Sequence, residues 1–518
     1  MSKSNNTFFS INLTIFTPLK KSLCLFFVLI FLSCQNPTKK IQNQSINPNV
    51  IIIYMDDLGY GDVSSYNKGK LKTPNIDKLA DEGLKFLNGY SSSATCTPSR
   101  YGLLTGTYPW RNPRAKIITG GSLIIDTTEM TLPKLLKING YKTGVVGKWH
   151  LGLGKDQINY NKIISPGPNE IGFDYSYILA DTQDRVPCVY IENGNVVRLD
   201  ENDPIDVNFN DNDYGLPTGL KNPELTTMKW HHGHNGSIVN GIPRIGFMKG
   251  GNKARWIDED MADNFLNKAK EYIKENKNNP FFLFYSLQQP HVPRTPNPRF
   301  VGKSGMGPRG DAIIEADWCI GELYKTLEEN KLLENTLIIF SSDNGPVLND
   351  GYFDNAVEML GEHTPSGGLR GGKYSLFEAG TRVPFITYWK DKIKAGVSNQ
   401  VISQIDLFNT VSKMIDSDFR SKDGKDLSNL ILNNIGEGRS ELVIEAMGRT
   451  AYRYKEWVMI PPYKGRKIAK NVQIELGNSS EYMLFDLERD PYQKDNLAKK
   501  NPEKLKFMIS NFDKIKKY

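Results

Sequence analysis

The run Val50-Ile51-Ile52-Ile53-Tyr54 ends abruptly in Met55-Asp56-Asp57-Leu58-Gly59. An unbroken apolar run of strand length, closed by polar residues and glycine, belongs to a parallel strand buried on both faces. Such a strand needs helices above and below it, so the feature restricts the chain to α/β architectures. The residues that follow agree. Thr73-Pro74-Asn75 opens a helix to Gly83, with proline at a tolerated first position. Thr131-Leu132-Pro133 opens another, closed by Asn139-Gly140, and residues 141–147 form a strand. Residues 259–276 carry an amphipathic helical pattern and 280–287 a second apolar strand. A helix over 311–330 leads to a strand over 336–341 that ends in Asp343-Asn344. The expected fold class is α/β: a large mixed, mostly parallel sheet flanked by helices, with a smaller C-terminal α+β domain.

Residues 158–250 are rich in Gly, Pro, Asn and Asp and weakly periodic, so long loops over a site are expected there. The texture changes again near residue 398. Residues 404–415 read as a helix, and 441–446, 451–460 and 481–486 as short strands. The expected division is a main domain over 48–397 and a smaller domain over 398–518. At the start, Lys20-Lys21, the apolar run 23–32 and Ser33-Cys34 have the layout of a secretory signal over residues 1–34. The run is too short for a membrane span. Cys34 stands where a lipoprotein signal places its lipidated residue, although position 31 is Phe rather than Leu. Plain cleavage nearby is the alternative. Residues 35–47 then read as a tether. The expected location is the periplasm, or the outer membrane or cell surface, with membrane attachment only through that lipid.

A hydrophobic fraction of 39% and a charged fraction of 24% are ordinary for a soluble globular protein. The formal net charge of +7 is small for 518 residues. It reads as a lysine-rich solvated surface, or as one that tolerates a polyanionic substrate. There is no dense basic stripe and no zinc-finger spacing, so no nucleic-acid partner is expected. Of 5 cysteines, Cys24 and Cys34 belong to the signal. Cys96, Cys188 and Cys319 are too few for a disulfide framework. Cys188 and Cys319 read as core thiols, although an export compartment would permit them to pair.

Chemistry is expected outside the carboxyl ends of the strands, where open α/β sheets bind their ligands. Asp56, Asp57, Asp343 and Asn344 follow two such strands. Four oxygen-bearing side chains without Cys or His suit a hard cation, Ca²⁺ or Mg²⁺. Each pair alone would read as a turn or helix cap. Cys96-Thr97-Pro98-Ser99-Arg100 is more specific. Taken alone it could be a buried thiol starting a helix. With its continuation Tyr101-Gly102-Leu103-Leu104-Thr105-Gly106, it resembles the signature Cys-x-Pro-Ser-Arg of the type I sulfatases of the alkaline-phosphatase-like superfamily.

That resemblance implies a sulfuric ester hydrolase whose cysteine is oxidised to formylglycine by a maturing enzyme. The hydrated aldehyde offers two oxygens: one attacks sulfur, and the other expels sulfate as the aldehyde re-forms. The resemblance runs from Asn49 to about Leu497. It implies that Asp56, Asp57, Asp343, Asn344 and modified Cys96 hold the metal, with Ca²⁺ favoured. Arg100 would hold the diol or the metal carboxylates. Lys148 and His150, in Gly147-Lys148-Trp149-His150-Leu151-Gly152, would contact sulfate and assist its expulsion. His291, in Gln288-Gln289-Pro290-His291-Val292-Pro293, would bind sulfate and protonate the leaving oxygen, and Lys373 would bind sulfate.

The chain has 6 histidines, and His231, His232 and His234 cluster. Adjacent histidines point apart and no cysteine pair matches them, so a substrate role is preferred to Zn²⁺. His363, ten residues before Lys373, joins the same candidate set. Many family members have a hydroxyl that contacts the sulfated site at a position that falls near Thr182, and Arg185 joins Thr182 as a substrate-binding candidate, but Asp181-Thr182-Gln183-Asp184-Arg185 is unlike the arylsulfatase version. This departure, the lipoprotein-like signal and the polar loops argue for a sulfated carbohydrate, and the chain resembles the exported sulfatases by which bacteria degrade algal or animal sulfated glycans, with ulvan or carrageenan as examples. The competing readings are a phosphonate or phosphodiester hydrolase of the same superfamily and a non-catalytic glycan-binding lipoprotein.

Overall fold

A computed structural model of the chain describes residues 47–210 and 214–518. The signal, Cys34 and all of the tether but Asn47 lie outside the described residues. The apolar run forms β1 (Asn49–Met55), followed by helix α1 (Pro74–Glu82), β2 (Leu84–Tyr90) and α2 (Cys96–Thr105). Then come α3 (Leu132–Ile138), β3 (Lys142–Lys148), β4 (Tyr175–Leu179), β5 (Ile191–Glu192) and β6 (Asn195–Val196). The chain continues through α4 (Met261–Asn276), β7 (Phe281–Ser286), α5 (Gly307–Glu329) and β8 (Thr336–Ser342). β9 (Phe385–Tyr388), β10 (Gly396–Ser403) and α6 (Asp406–Met414) complete this part.

These strands form one 10-stranded sheet in the order β10-β2-β9-β8-β1-β7-β3-β4-β5-β6. The central run β8-β1-β7-β3-β4 is parallel throughout. Every residue of β1 is buried, because it lies between β7 and β8 and is covered by helices. Ile52 pairs with Phe284 on one side and Ile339 on the other. α5 packs on α1 and α4, while α2, α3 and α6 pack on one another. β3 touches both groups, so helical layers sandwich the sheet.

Several expectations are corrected. β4 is a parallel strand of the main sheet, although it lies inside the segment expected to be loops. β2 and β10 were not legible, because their apolar residues are interrupted by Lys85 and Asn88 in one and by Asn399 and Gln400 in the other, and β9 was missed because it is only the four residues Phe385–Tyr388. The change of architecture expected at 398 falls later. β10 pairs with β2, and α6 and Leu427, Leu430 and Ile431 pack into the core of the first sheet. The second sheet begins with β11 (Glu441–Ala446) and continues through β12 (Arg449–Tyr454), β13 (Trp457–Ile460) and β14 (Met483–Asp486). The single strand expected over 451–460 is a hairpin, turning where Lys455 adopts a positive φ of 52°. Helix α7 (Pro502–Lys517) packs on β12 and β13, with Met508 and Phe512 in a second core. Cys188 and Cys319 are buried and unpaired, as core thiols. Among the described residues no helix is long and apolar enough to cross a membrane.

Candidate active site

β1 and β8 are paired so that Met55 lies opposite Ser342. The register therefore brings the polar pairs after each strand together. Asp57 takes a left-handed turn with φ 62°, and its amide donates to Asp343 Oδ1 at 3.2 Å. The Asp56 amide donates to the Gln289 carbonyl at 3.1 Å, tying in the loop after β7. Ligand atoms of Asp56, Asp57, Cys96 and Asp343 all lie within 4.8 Å of one another, and all four residues are buried.

α2 aims its first residue at this cluster. Cys96 Sγ is 3.5 Å from Asp56 Oδ1. The free N–H groups of a helix start favour an anion there. Burial, and then the Asp343 carboxylate, push the Cys96 thiol well up, so the unmodified residue is a protonated and poor nucleophile. One turn later Arg100 donates to Asp343 Oδ2 through Nε at 3.1 Å and Nη2 at 2.8 Å. Its Nη1 reaches Ser286 Oγ at 2.6 Å and the Lys148 carbonyl at 3.2 Å. Burial alone would raise the Asp343 carboxyl, but Arg100 and then Lys148 hold it at about 2. Asp56 is pushed well up, by burial and then by Asp343.

Lys148, at the end of β3, places Nζ 2.5 Å from Asp56 Oδ2. Lys373 Nζ lies 2.9 Å from both Asp57 Oδ2 and Asp350 Oδ2. Both lysines, expected on sulfate, thus rest on carboxylates. Four carboxylates face three cations here, leaving one negative charge in surplus when all are ionised. Asn344 turns its amide N–H₂ to Asp57 Oδ1 at 2.7 Å, and its own Oδ1 is buried without a partner. An orphaned carbonyl oxygen beside crowded carboxylates fits a hard divalent cation. Such an ion would turn the surplus to one positive charge, which matches the single negative charge of a sulfate monoester.

Two histidines flank the cluster. His291 Nδ1 lies 2.7 Å from the Val292 carbonyl and Nε2 lies 3.8 Å from Asp57 Oδ2. The carbonyl can only accept, so Nδ1 carries the proton and Nε2 faces the site. His150, with φ 55°, donates through Nε2 to the Ile118 carbonyl at 3.0 Å and buries Nδ1 without a partner. Burial lowers the basicity of both rings, followed by Lys373 for His291 and Lys148 for His150.

The expected substrate residues divide. Thr182 and Arg185 gather on Asp184 Oδ1, and His234 Nε2 meets Asp184 Oδ2 at 2.7 Å. Burial alone would raise the Asp184 carboxyl, but Arg185, His234 and nearby His291 hold it well down, which sets this group beside the site. His231 and His232 approach ring to ring, with their Nδ1 atoms 2.7 Å apart. His363 is not brought in. It bonds Asp62 at 2.9 Å in a separate buried cluster with Arg309, so its nearness to Lys373 in sequence was misleading. Sequence reasoning missed Asp350, Asp184 and Ser286. Asn349-Asp350-Gly351 reads as any turn, and only the partner Lys373 reveals Asp350.

The family model described as Sulfatase matches residues 48–417. An N-acetylgalactosamine-6-O-sulfatase of Bacteroides thetaiotaomicron is 47% identical over 496 residues, covering 94% of this chain and 97% of that protein. Human arylsulfatase A is 32% identical, covering 76% of this chain and 69% of its own. A solved structure described under the metabolism of multiple glycosaminoglycans by Bacteroides thetaiotaomicron superposes with a TM-score of 0.89 at 47% identity, over 91% of this chain and 99% of that one. A Pseudoalteromonas sulfatase superposes at 0.65 with 26% identity, over 91% of each chain. The buried Cys96 at a helix start, the carboxylate cluster and its three cations therefore lie in a chain that belongs to the sulfatase family and is a sulfuric ester hydrolase.

Proposed function

We propose that this sulfatase removes the 6-O-sulfate of N-acetylgalactosamine in a sulfated glycan, using formylglycine made from Cys96 and a Ca²⁺ ion. The observation that carries the chemistry is Cys96 at the start of α2, 3.5 Å from Asp56 within the carboxylate cluster. The substrate reading rests on the 47% identical relative, whose name specifies that sugar and position. It stands in place of ulvan and carrageenan, the algal examples that the resemblance to exported bacterial sulfatases had suggested.

Asp56, Asp57, Asp343 and Asn344 would hold the cation, which supplies Lewis acidity to the sulfate oxygens and the diol. Formylglycine, hydrated by one water to the geminal diol, would supply two hydroxyl oxygens, one to attack sulfur and one to expel sulfate. The chain's own residues do the rest. Arg100 fixes Asp343, and Lys148 and Lys373 bring cations to the rim where an anion must sit. His150 is neutral with its Nδ1 lone pair free, so it accepts a proton from the diol oxygen that expels sulfate. His291 Nε2 faces the cluster, and a bound sulfate supplies the negative charge that restores its basicity. It can then protonate the departing sugar oxygen.

The signal and Cys34 support export and lipid anchoring of the chain. Sulfate release from 6-sulfated and 4-sulfated N-acetylgalactosamine tests the substrate reading. Preference for the 6-sulfate supports it, and equal or reversed preference overturns it.

A further inference from the structure

A cleft of about 600 Å³ opens beside Asp350 and Tyr374. One wall comes from the C-terminal segment and presents Lys464, Arg466 and Lys470. Asp350 is the one acid among the lining residues, and Lys373 already engages it. Lys464, Arg466 and Lys470 are exposed and enter no ion pair among the described residues; the local pair joins Arg370 to Glu475 instead. Scattered surface lysines are common, but these cations converge on one cavity that adjoins the catalytic cluster.

The wall is also fixed in place. Arg449 donates to the carbonyls of Leu476 and Tyr374, each at 2.8 Å. The Leu376 amide donates to the Leu476 carbonyl at 3.2 Å, and Ser375 Oγ donates to the Glu475 carbonyl at 2.5 Å. The segment that carries the cations is thereby bound to the loop that carries Lys373. Like charges held together without counter-charges raise the local potential and attract an anion. Lys148 and Lys373 belong to the carboxylate cluster, whereas Lys464, Arg466 and Lys470 pair with no carboxylate among the described residues, so the cleft has cations free for a second anionic group.

We propose that this cleft is a subsite for an anionic group on the sugar joined to the sulfated residue, bound by Arg466 and Lys470 with Lys464 beside them. The group is a uronate carboxylate or a second sulfate ester. The inference rests on the reading of the substrate as a sulfated glycan.

The test compares four substrates: 6-sulfated N-acetylgalactosamine alone, and the same residue joined to a uronic acid, to its carboxyl-reduced counterpart, or to a second sulfated sugar. The wild type should favour an anionic disaccharide in kcat/KM by about tenfold at low salt, and R466Q/K470Q should abolish that gain. The variant should hydrolyse the monosaccharide at the wild-type rate. A gain confined to the uronic acid identifies the carboxylate, and one confined to the second sulfated sugar identifies the sulfate. If the monosaccharide is hydrolysed but variant and wild type treat all four alike, the subsite is overturned while the activity stands. If neither protein hydrolyses any of the four, the substrate reading fails. Calorimetric binding of the same disaccharides to protein with unconverted Cys96 then decides the subsite. Weaker binding by the variant upholds it, and equal binding overturns it.

Discussion

Arg100 leaves α2 one turn after Cys96 and closes on Asp343 with two donors, while its third nitrogen pins Ser286 and Lys148. One buried guanidinium thus sets the positions of a carboxylate and of the strand end that carries a lysine. Glu315 does comparable work from farther out. It accepts from Gln289 Nε2 at 3.1 Å and from the Asn297 amide at 2.8 Å, on either side of His291 in sequence. Burial pushes its carboxyl from the ordinary 4.5 up to about 7. Between those values the folded chain holds a proton that the unfolded chain has released, so stability falls as pH rises through that window and levels off above it. Glu315→Gln should remove this slope, on the order of 2–3 kcal/mol across the window. The orphaned Gln289 Oε1 can turn to accept from the new amide. Thermal unfolding from pH 4.5 to 8 checks this, and a parallel slope in the variant would count against it. At this scale the sequence singled out Asp56, Asp57, Asp343 and Asn344 by strand-end position and Cys96 by its motif, and the fold gathers Asp56, Asp57, Asp343 and Cys96 in one cluster. It hid Asp350, whose role exists only through a lysine 23 residues away.

Elements explain why the site survives a mixed sheet. The parallel core was legible because β1, β7 and β8 are continuously apolar, and their pairing then fixes where the polar ends meet. β2 was not, since a half-polar strand resembles a loop until a neighbour covers it, and β9 was not, since four residues are too few to show a period. Gly147 shows how closely these strands pack. Its φ is 117°, and a Cβ there would stand 1.9 Å from the Ser286 carbonyl oxygen. Gly147→Ala must therefore strain β3 or push it from β7, carrying Lys148 with it. The expected cost is about 3 kcal/mol or more, combining backbone strain with overpacking. Denaturant unfolding and activity should fall together. Wild-type stability in the variant would show that the strand ends are looser than this packing implies.

Across the whole described chain, the C-terminal sheet braces the segment that leads into Cys96 rather than standing apart. The Ala94 amide donates to the Glu445 carbonyl at 2.8 Å, and the Glu445 carboxylate accepts from Ser93, just ahead of Cys96. Arg449 binds the loop of Lys373, and Arg453 reaches Tyr90. Sequence reading found this domain but placed its start too early, because a change in texture marks exposure as readily as a domain border. With its carboxylates crowded around an orphaned Asn344 oxygen, the folded protein should bind Ca²⁺ more tightly than the unfolded chain does. Chelation should then lower the melting temperature and abolish activity, with added Ca²⁺ restoring both; an unchanged melting temperature would remove the cation from the account. The most direct measurement follows sulfate release from 6-sulfated N-acetylgalactosamine by preparations in which the converted fraction of Cys96 is known from peptide mass spectrometry, conversion lowering the mass by about that of one water. The rate should rise in proportion to the converted fraction and vanish with the unmodified thiol, whereas equal activity from unconverted protein would contradict the assignment of Cys96 as the source of the nucleophile.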